Sequence, residues 1–388
     1  MRVVKVDSLE PGSVVGKSLL DDRGQTLLHA GVVLSEKYID TLKEKGYTHL
    51  YINDEGCDLN VAPEDELSPI VRARALNTMR EVFESIEQEL PTVKTFTYDD
   101  IKRFCASDVV KDLMGEDGPM KSLLACVDSI LDEVLTRSTL AGLTSLKSDD
   151  TRLYAHSIDV CIVAIMIGQY IGMNSVRMKQ LATGCLLHDI GKIFLDKATG
   201  ERNSIKLHTV LGYELLRNSD DPDILAPHVA YQHHEHQDGT GLPRGLVGSN
   251  TIERNRNLPP PVPALIGEIA AVANTYDNLL NGVHDKVPLT PDRALNRIRG
   301  WAGTRLNREV VNAFLRVVPV YPIGVDVIIE GGVFNGCQAI VTDVTQQALD
   351  RPRVAVYRDA SGRLVEPFEF DLNAVDDEEV TLRAKPPA

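Results

Sequence analysis

The sequence predicts a multidomain, mainly α protein. An all-helical central domain is expected between a small α+β N-terminal module and a small β-rich C-terminal module. Three observations predict this. Apolar residues recur at three and four through the middle of the chain. Short apolar runs separated by Gly and polar turns occupy both ends. Eight of the ten histidines lie between His156 and His284, inside the helical part.

The length, 388 residues, allows two to three domains. With 43% hydrophobic and 25% charged residues, the composition is that of an ordinary globular protein. The formal charge is -15 and the pI about 5.1, which argues against a nucleic acid polymer as partner. A small phosphate ester stays open, because metal ions supply positive charge. None of the six cysteines forms a Cys-x-x-Cys pair, and Cys161 and Cys185 lie in apolar helical runs, so buried reduced thiols are expected. The first residues, MRVVKVDSLEPG, carry no apolar core of signal-peptide length. The longest apolar run, Val160 to Ile171, is too short to span a bilayer. A cytoplasmic protein without membrane insertion is therefore expected.

Residues 1–52 form the expected α+β module. Val3, Val4 and Val6 lead to Leu9, and Asp21-Asp22-Arg23-Gly24 reads as a hairpin turn between two strands. Ser35 reads as the N-cap of a helix with Tyr38, Ile39 and Leu42 on one face, ended by Gly46. His49 to Ile52 reads as a strand. Residues 53–69 read as an acidic linker. Residues 70–148 are a helical lead-in, with Val71, Ala75, Met79, Val82, Phe83 and Ile86 at helical spacing before Pro91. Further helices are expected over Val109–Met114 and Met120–Leu135. The region packs on the next domain or forms a dimer bundle, and packing is the favoured reading.

Residues 149–318 are the expected helical metal-binding domain. A buried helix should run over Ile158–Ile171, stopped by Gly172, followed by one over Val176–Leu187. Helices are also expected from His208 through Gly212 to Arg217, over Ile224–His236, over Leu265–Leu280, and through Pro291–Val318. From Tyr321 the period turns to strands, and residues 319–388 read as a β module. Its strands are expected near Val325–Ile329, Ala339–Val344, Val354–Tyr357 and Val380–Leu382.

Two stretches carry the chemistry: HDIGK, His188 to Lys192, and HHEHQDGTGLP, His233 to Pro243. Adjacent histidines, an acidic-polar run and two glycines beside a proline suit metal ligands that end a helix and open a tight loop. From about Tyr154 to Leu280 the chain resembles the HD-GYP family, a branch of the HD metal-dependent phosphohydrolases. The HD pair reads His188-Asp189 and the loop tripeptide reads Gly241-Leu242-Pro243. The N- and C-terminal modules resemble segments that flank HD-GYP domains.

The resemblance implies a dinuclear site. His156 matches the first histidine, His208 the isolated histidine of H-x-x-x-G, and His233 and His234 the double histidine. One metal would take His156, His188, Asp189 and a later aspartate. The second would take Asp189 as bridge with His208, His233 and His234. Lys192 would contact the scissile phosphate as a point charge, and the Gly241-Leu242-Pro243 loop would border substrate. Three positions depart from the pattern. Asn274 stands where the last metal aspartate is expected, offering a carbonyl oxygen without charge, while Asp277 remains to support the metal from behind its ligands. Leu242 replaces the loop tyrosine. The run from Asn281 to Lys286 lacks Arg-Pro-Tyr, with His284 and Lys286 as its polar residues. Asp149 and Asp150 lie where some relatives hold a third metal, but helix capping is the reading here, so two metals are expected.

The resemblance thus implies a metal-dependent phosphodiesterase opening cyclic di-GMP to linear pGpG, with GMP as a further product left open. Two divalent transition metal ions, iron or manganese by the resemblance, would serve it. Two alternatives stand: a silent HD-GYP-like signalling or binding module, and an HD phosphohydrolase for another phosphate ester. A homodimer or protein signalling partners are left open.

Overall fold

The computed structural model describes residues 2–20, 25–47, 49–53, 65–90, 97–115, 118–140, 151–195, 204–217, 225–253, 262–283, 287–375 and 379–386. The acidic stretch 54–64 and the turn 21–24 lie outside the described residues. The N-terminal module contains β1 (Arg2–Lys5), β2 (Val14–Val15), β3 (Leu19–Leu20), β4 (Thr26–Leu28), α1 (Glu36–Glu44) and β5 (His49–Asn53). Strands β1, β5 and β2 form an antiparallel sheet in that order, and β3 pairs with β4. Val4, Val6, Leu50 and Ile52 bury one face of the module against Ile39 and Leu42 of α1. The Ser35 hydroxyl accepts from the Tyr38 amide at the start of α1, and Gly46 ends the segment at φ +70°. Tyr38 was expected on the buried face but is 45% exposed. It lies one residue, about 100°, round the helix from Ile39.

The helical part contains α2 (Pro69–Gln88), α3 (Tyr98–Cys105), α4 (Asp108–Met114), α5 (Pro119–Val134), α6 (Arg152–Tyr170), α7 (Ser175–Leu187), α8 (Ser204–Leu216), α9 (Ala226–Gln232), α10 (Leu265–Leu280), α11 (Pro291–Trp301) and α12 (Arg308–Phe314). One hydrophobic cluster runs from Leu67 to Val318, so α2–α5 share the core of the later helices. The sequence reading omitted α3. It is short and buries only Ile101 and Cys105, and a capping box between Thr97 and Asp100 starts it. Helix α9 is shorter than the expected Ile224–His236, because Glu235 leaves the helix to hold the following loop. The expected closing helix is two helices. Gly303 at φ +90° breaks the chain, and the Asn307 side chain caps α12 by accepting from the Glu309 and Val310 amides.

Helix α6 is the axis of this core, packed by α2, α5, α7, α10 and α12. It is buried on all sides from Ala155 to Gly168. Its 19 residues are long and apolar enough to cross a membrane only when Arg152, His156 and Asp159 are counted in, and 78% of that window is buried inside the protein. Cys161 and Cys185 lie in this core without disulfides, and burial pushes both thiols well up. Arg72 of α2 reaches into the core and donates from Nη1 to Asp159 Oδ1 of α6 at 3.1 Å. Asp159 lies one turn beyond His156, so this pair fixes α6 against α2.

The C-terminal module is an antiparallel sheet of β6 (Asp326–Glu330), β7 (Gln338–Thr345), β8 (Ala348–Arg358), β9 (Leu364–Asp371) and β10 (Thr381–Ala384), in the order β10-β6-β7-β8-β9. Val327, Ile329, Val341, Val354, Val356 and Leu382 form its own core. Strand β9 was missed. It buries no residue and carries Pro367, both features of an edge strand, so the apolar signal is weak.

Replacing Arg72 with Met should leave Asp159 in the core without this guanidinium. Breaking a buried pair costs about 3 kcal/mol at the lower end. Chemical denaturation of Arg72→Met should show a loss of this order, while an exposed pair such as Lys111–Asp108 should show almost none when broken.

Candidate metal centre

Five helices deliver the site. His156 sits on the first turns of α6. His188 caps α7, and Asp189 follows it into a 3-10 turn, Ile190–Phe194. His208 lies within α8, and His233 and His234 follow the end of α9. Asn274 and Asp277 lie on α10. Two glycines let these elements meet. A Cβ on Gly191 would stand 2.0 Å from the His208 carbonyl oxygen and 2.6 Å from the Gly212 nitrogen. The backbone after Asp189 therefore touches α8 where His208 projects.

The structure gathers the predicted ligands into two groups, His156, His188, Asp189 and His208, His233, His234. Asp189 stands between them. Its Oδ2 faces His188 Nε2 at 3.4 Å and His156 Nε2 at 3.9 Å. Its Oδ1 faces His208 Nε2 at 3.4 Å and His233 Nε2 at 3.8 Å. His234 lies against this second group, its ring centroid 5.2 Å from that of His208 and 4.2 Å from that of His233.

The outer ring nitrogens fix the tautomers. His188 Nδ1 donates to the Cys185 carbonyl at 2.7 Å and His208 Nδ1 to the Ser204 carbonyl at 2.7 Å. His233 Nδ1 donates to the Val229 and Ala230 carbonyls, both at 3.0 Å. A carbonyl only accepts, so the proton sits on Nδ1 and each Nε2 lone pair faces Asp189. Asp277 does the same for His156, its Oδ2 accepting from Nδ1 at 2.6 Å. This backing orients metal-ligating imidazoles and raises their basicity.

Two features fit a cation. His188 Nε2 is buried with no hydrogen-bond partner. The Nε2 atoms of His208 and His233 lie 3.3 Å apart with a lone pair on each. Such lone pairs repel unless a positive charge lies between or beside them. Burial lowers the pKa of His208, pushes that of His234 down to about 3, and drives that of His233 well below the ordinary range, with neighbouring imidazoles adding to the effect. The second group is therefore neutral at pH 7, the form a metal needs. Burial works to raise the Asp189 pKa, but the carboxyl is held well below its usual range, with the Lys192 ammonium in contact with it.

Lys192 donates from Nζ to Asp189 Oδ2 at 2.5 Å, and its side chain is 40% exposed. The ammonium thus lies at the rim of the site in contact with the central carboxylate. Asn274 is buried beside His233 and His234, and its Oδ1 accepts from Asn278 Nδ2 at 2.8 Å. Asp149, Asp150, His284 and Lys286 lie outside the described residues.

The Gly241-Leu242-Pro243 loop is held tightly against the double histidine. The Leu242 amide donates to the His234 carbonyl at 2.9 Å, and the Leu242–Pro243 bond is cis. A Cβ on Gly241 would stand 2.1 Å from the His236 nitrogen, so only glycine fits. The sequence reading missed what holds this loop. Glu235 is buried and accepts from the Arg244 and Leu246 amides, both at 2.8 Å. Gln237 donates to Glu268 at 2.7 Å, which in turn accepts from Asn307 at 3.0 Å. Glu235 and Gln237 lie in plain sight within HHEHQDGTGLP, but their partners are distant in sequence.

Residues 153–279 match the HD domain family model. A cyclic di-GMP phosphodiesterase of Pseudomonas aeruginosa is 28% identical over 61% of this chain and 56% of its own length. One from Thermotoga maritima is 30% identical over 43% of this chain and 45% of its own. This segment resembles HD domains of the HD-GYP type. A cyclic di-GMP phosphodiesterase response regulator of Xanthomonas campestris pv. campestris is 31% identical over 40% of each chain. The chain thus spans about half the length of these relatives. The HD pair is His188-Asp189, the residues at which the two groups of imidazoles meet.

The HD domain's geometry depends on the contact of Gly191 with α8. Gly191→Ala should push His208 away from Asp189 and cost about 1–3 kcal/mol by overpacking. Elemental analysis after manganese loading should show less metal bound per chain than in the wild type, in protein that remains folded by circular dichroism.

Proposed function

We propose that this chain is a metal-dependent phosphodiesterase that opens cyclic di-GMP to linear pGpG, its HD domain holding two divalent transition metal ions. The observation that carries the proposal is the division of Asp189. Each of its oxygens faces a different set of Nε2 lone pairs, which suits a carboxylate bridging two cations. His156, His188 and Asp189 would hold the first ion, with Asn274 as a neutral ligand. Asp189, His208, His233 and His234 would hold the second. A donor set rich in imidazole with one bridging carboxylate suits iron or manganese among the borderline metals. When bound, the ions supply the Lewis acidity that activates a water and offsets charge on the phosphoryl oxygens. The activity for which these relatives are named supports the same substrate.

The chain's own residues do the remaining work. The backbone carbonyls behind His188, His208 and His233 hold the Nε2 lone pairs inward, and Asp277 does so for His156. Lys192 places an ammonium at the rim, where it meets the scissile phosphate as a point charge. The Gly241-Leu242-Pro243 loop, fixed by Glu235, forms the wall beside His234 and borders substrate without the hydroxyl that a tyrosine would bring.

A second reading is a silent binding module that keeps metal but signals by contact. Asn274 favours it, because an uncharged ligand already engaged by Asn278 binds a hard cation weakly. The test is turnover of cyclic di-GMP by anaerobically prepared, manganese- or iron-loaded protein, with Lys192→Ala as comparison. The wild type should form pGpG, and Lys192→Ala should keep its metal yet turn over roughly 100-fold more slowly, the effect of losing one charge-stabilising donor. Metal-replete wild type that releases no pGpG would overturn the proposal and leave the binding module or a hydrolase of another phosphate ester.

A further inference from the structure

Beside the metal centre lies a cavity lined by His233, His234, His236, Asn274, Trp301 and Arg305. The Arg305 guanidinium carbon sits over the Trp301 ring, 4.7 Å from its centroid. Arg305 is exposed and Trp301 half-buried. Among the described residues no carboxylate pairs with Arg305. In a chain of net charge -15, such a cation bordering the site stands out.

The pair is also held in place. The Arg305 and Leu306 amides both donate to the Trp301 carbonyl at 3.1 Å, closing a tight turn after α11. The same turn is tied to the loop that follows His234. The Gln237 amide donates to the Arg305 carbonyl at 3.3 Å, and the Asp238 amide to the Thr304 carbonyl at 2.8 Å. Arg305 and Trp301 thus move with the metal loop rather than with free surface. Because the stacking and the turn hold both groups, little conformational freedom remains for a ligand to remove.

We propose that Arg305 and Trp301 form a nucleobase subsite, in which a purine stacks on the layered guanidinium and indole while its phosphate faces the metal centre. A planar guanidinium over an aromatic ring gives a base a flat, polarisable face to stack on. The subsite rests on the cyclic dinucleotide reading for its place in the reaction, but its binding is separately measurable.

Trp301 is the only tryptophan of the chain, so intrinsic fluorescence reads this place. Full-length protein is titrated with GMP and with ribose 5-phosphate, which lacks the base, and affinities are checked by calorimetry. GMP should change the fluorescence and bind, and ribose 5-phosphate should do neither at the same concentrations. Arg305→Ala should weaken GMP about tenfold, within the range of one stacked base, and Arg305→Lys should restore only part of the loss. With cyclic di-GMP, Arg305→Ala should raise KM by a similar factor and leave kcat near that of the wild type. Equal responses to GMP and ribose 5-phosphate, or an unchanged GMP affinity in Arg305→Ala, would overturn the subsite. Protein that binds GMP through Arg305 but fails to hydrolyse cyclic di-GMP keeps the subsite and loses the hydrolase. Protein that hydrolyses cyclic di-GMP with the same KM in wild type and Arg305→Ala keeps the hydrolase and loses the subsite.

Discussion

The Asp189 carboxylate is buried among imidazoles whose lone pairs point at it, and most of the HD domain serves to make that arrangement tolerable. A buried anion needs positive charge or donors close by. Here Lys192 supplies one contact, and the imidazoles present acceptors rather than donors. Their protons are drawn outward to helix carbonyls and to Asp277. The centre is therefore rich in electron pairs, a donor set that suits divalent cations. That constraint explains the close backbone contact at Gly191 and the His188 Nε2 left without a partner.

The surrounding fold supplies rigidity at several distances. Helix α6 carries His156 through the middle of the core, and Arg72 holds the same helix one turn away through Asp159. The loop after His234 is stiffened by Glu235 from within and by the Gln237–Glu268–Asn307 chain from α10 and the start of α12. Buried polar networks with all partners in place specify one geometry, where apolar packing alone would allow sliding. The helices before residue 140 belong to this same core, so the metal helix is buttressed by chain outside the segment that matches the HD model.

Much of this was legible in the sequence where signals are local. The 3.6-residue period placed α2, α7 and the end of α6 to within a few residues, and α10 at its observed bounds, Leu265–Leu280. Ser35 and Gly46 marked the ends of α1. HDIGK and HHEHQDGTGLP, together with the family resemblance for His156 and His208, named the residues that the structure gathers around Asp189. Signals failed where structure depends on distant partners. Glu235 reads as one more helical residue until the Arg244 and Leu246 amides are in place, and α9 stops short for that reason. Edge strand β9 buries no residue, and α3 buries too few residues to show a period. Nor did any motif announce Trp301 and Arg305, since their meaning comes from a turn bonded to the metal loop.

The division of Asp189 between two cations is the central claim, and anomalous diffraction from crystals of the manganese-loaded chain tests it most directly. The account predicts two anomalous peaks per chain, one beside each carboxylate oxygen. The first should lie within bonding distance of His156 and His188, and the second within bonding distance of His208, His233 and His234. A single peak in fully loaded crystals, or two peaks of which neither touches Asp189, would contradict it.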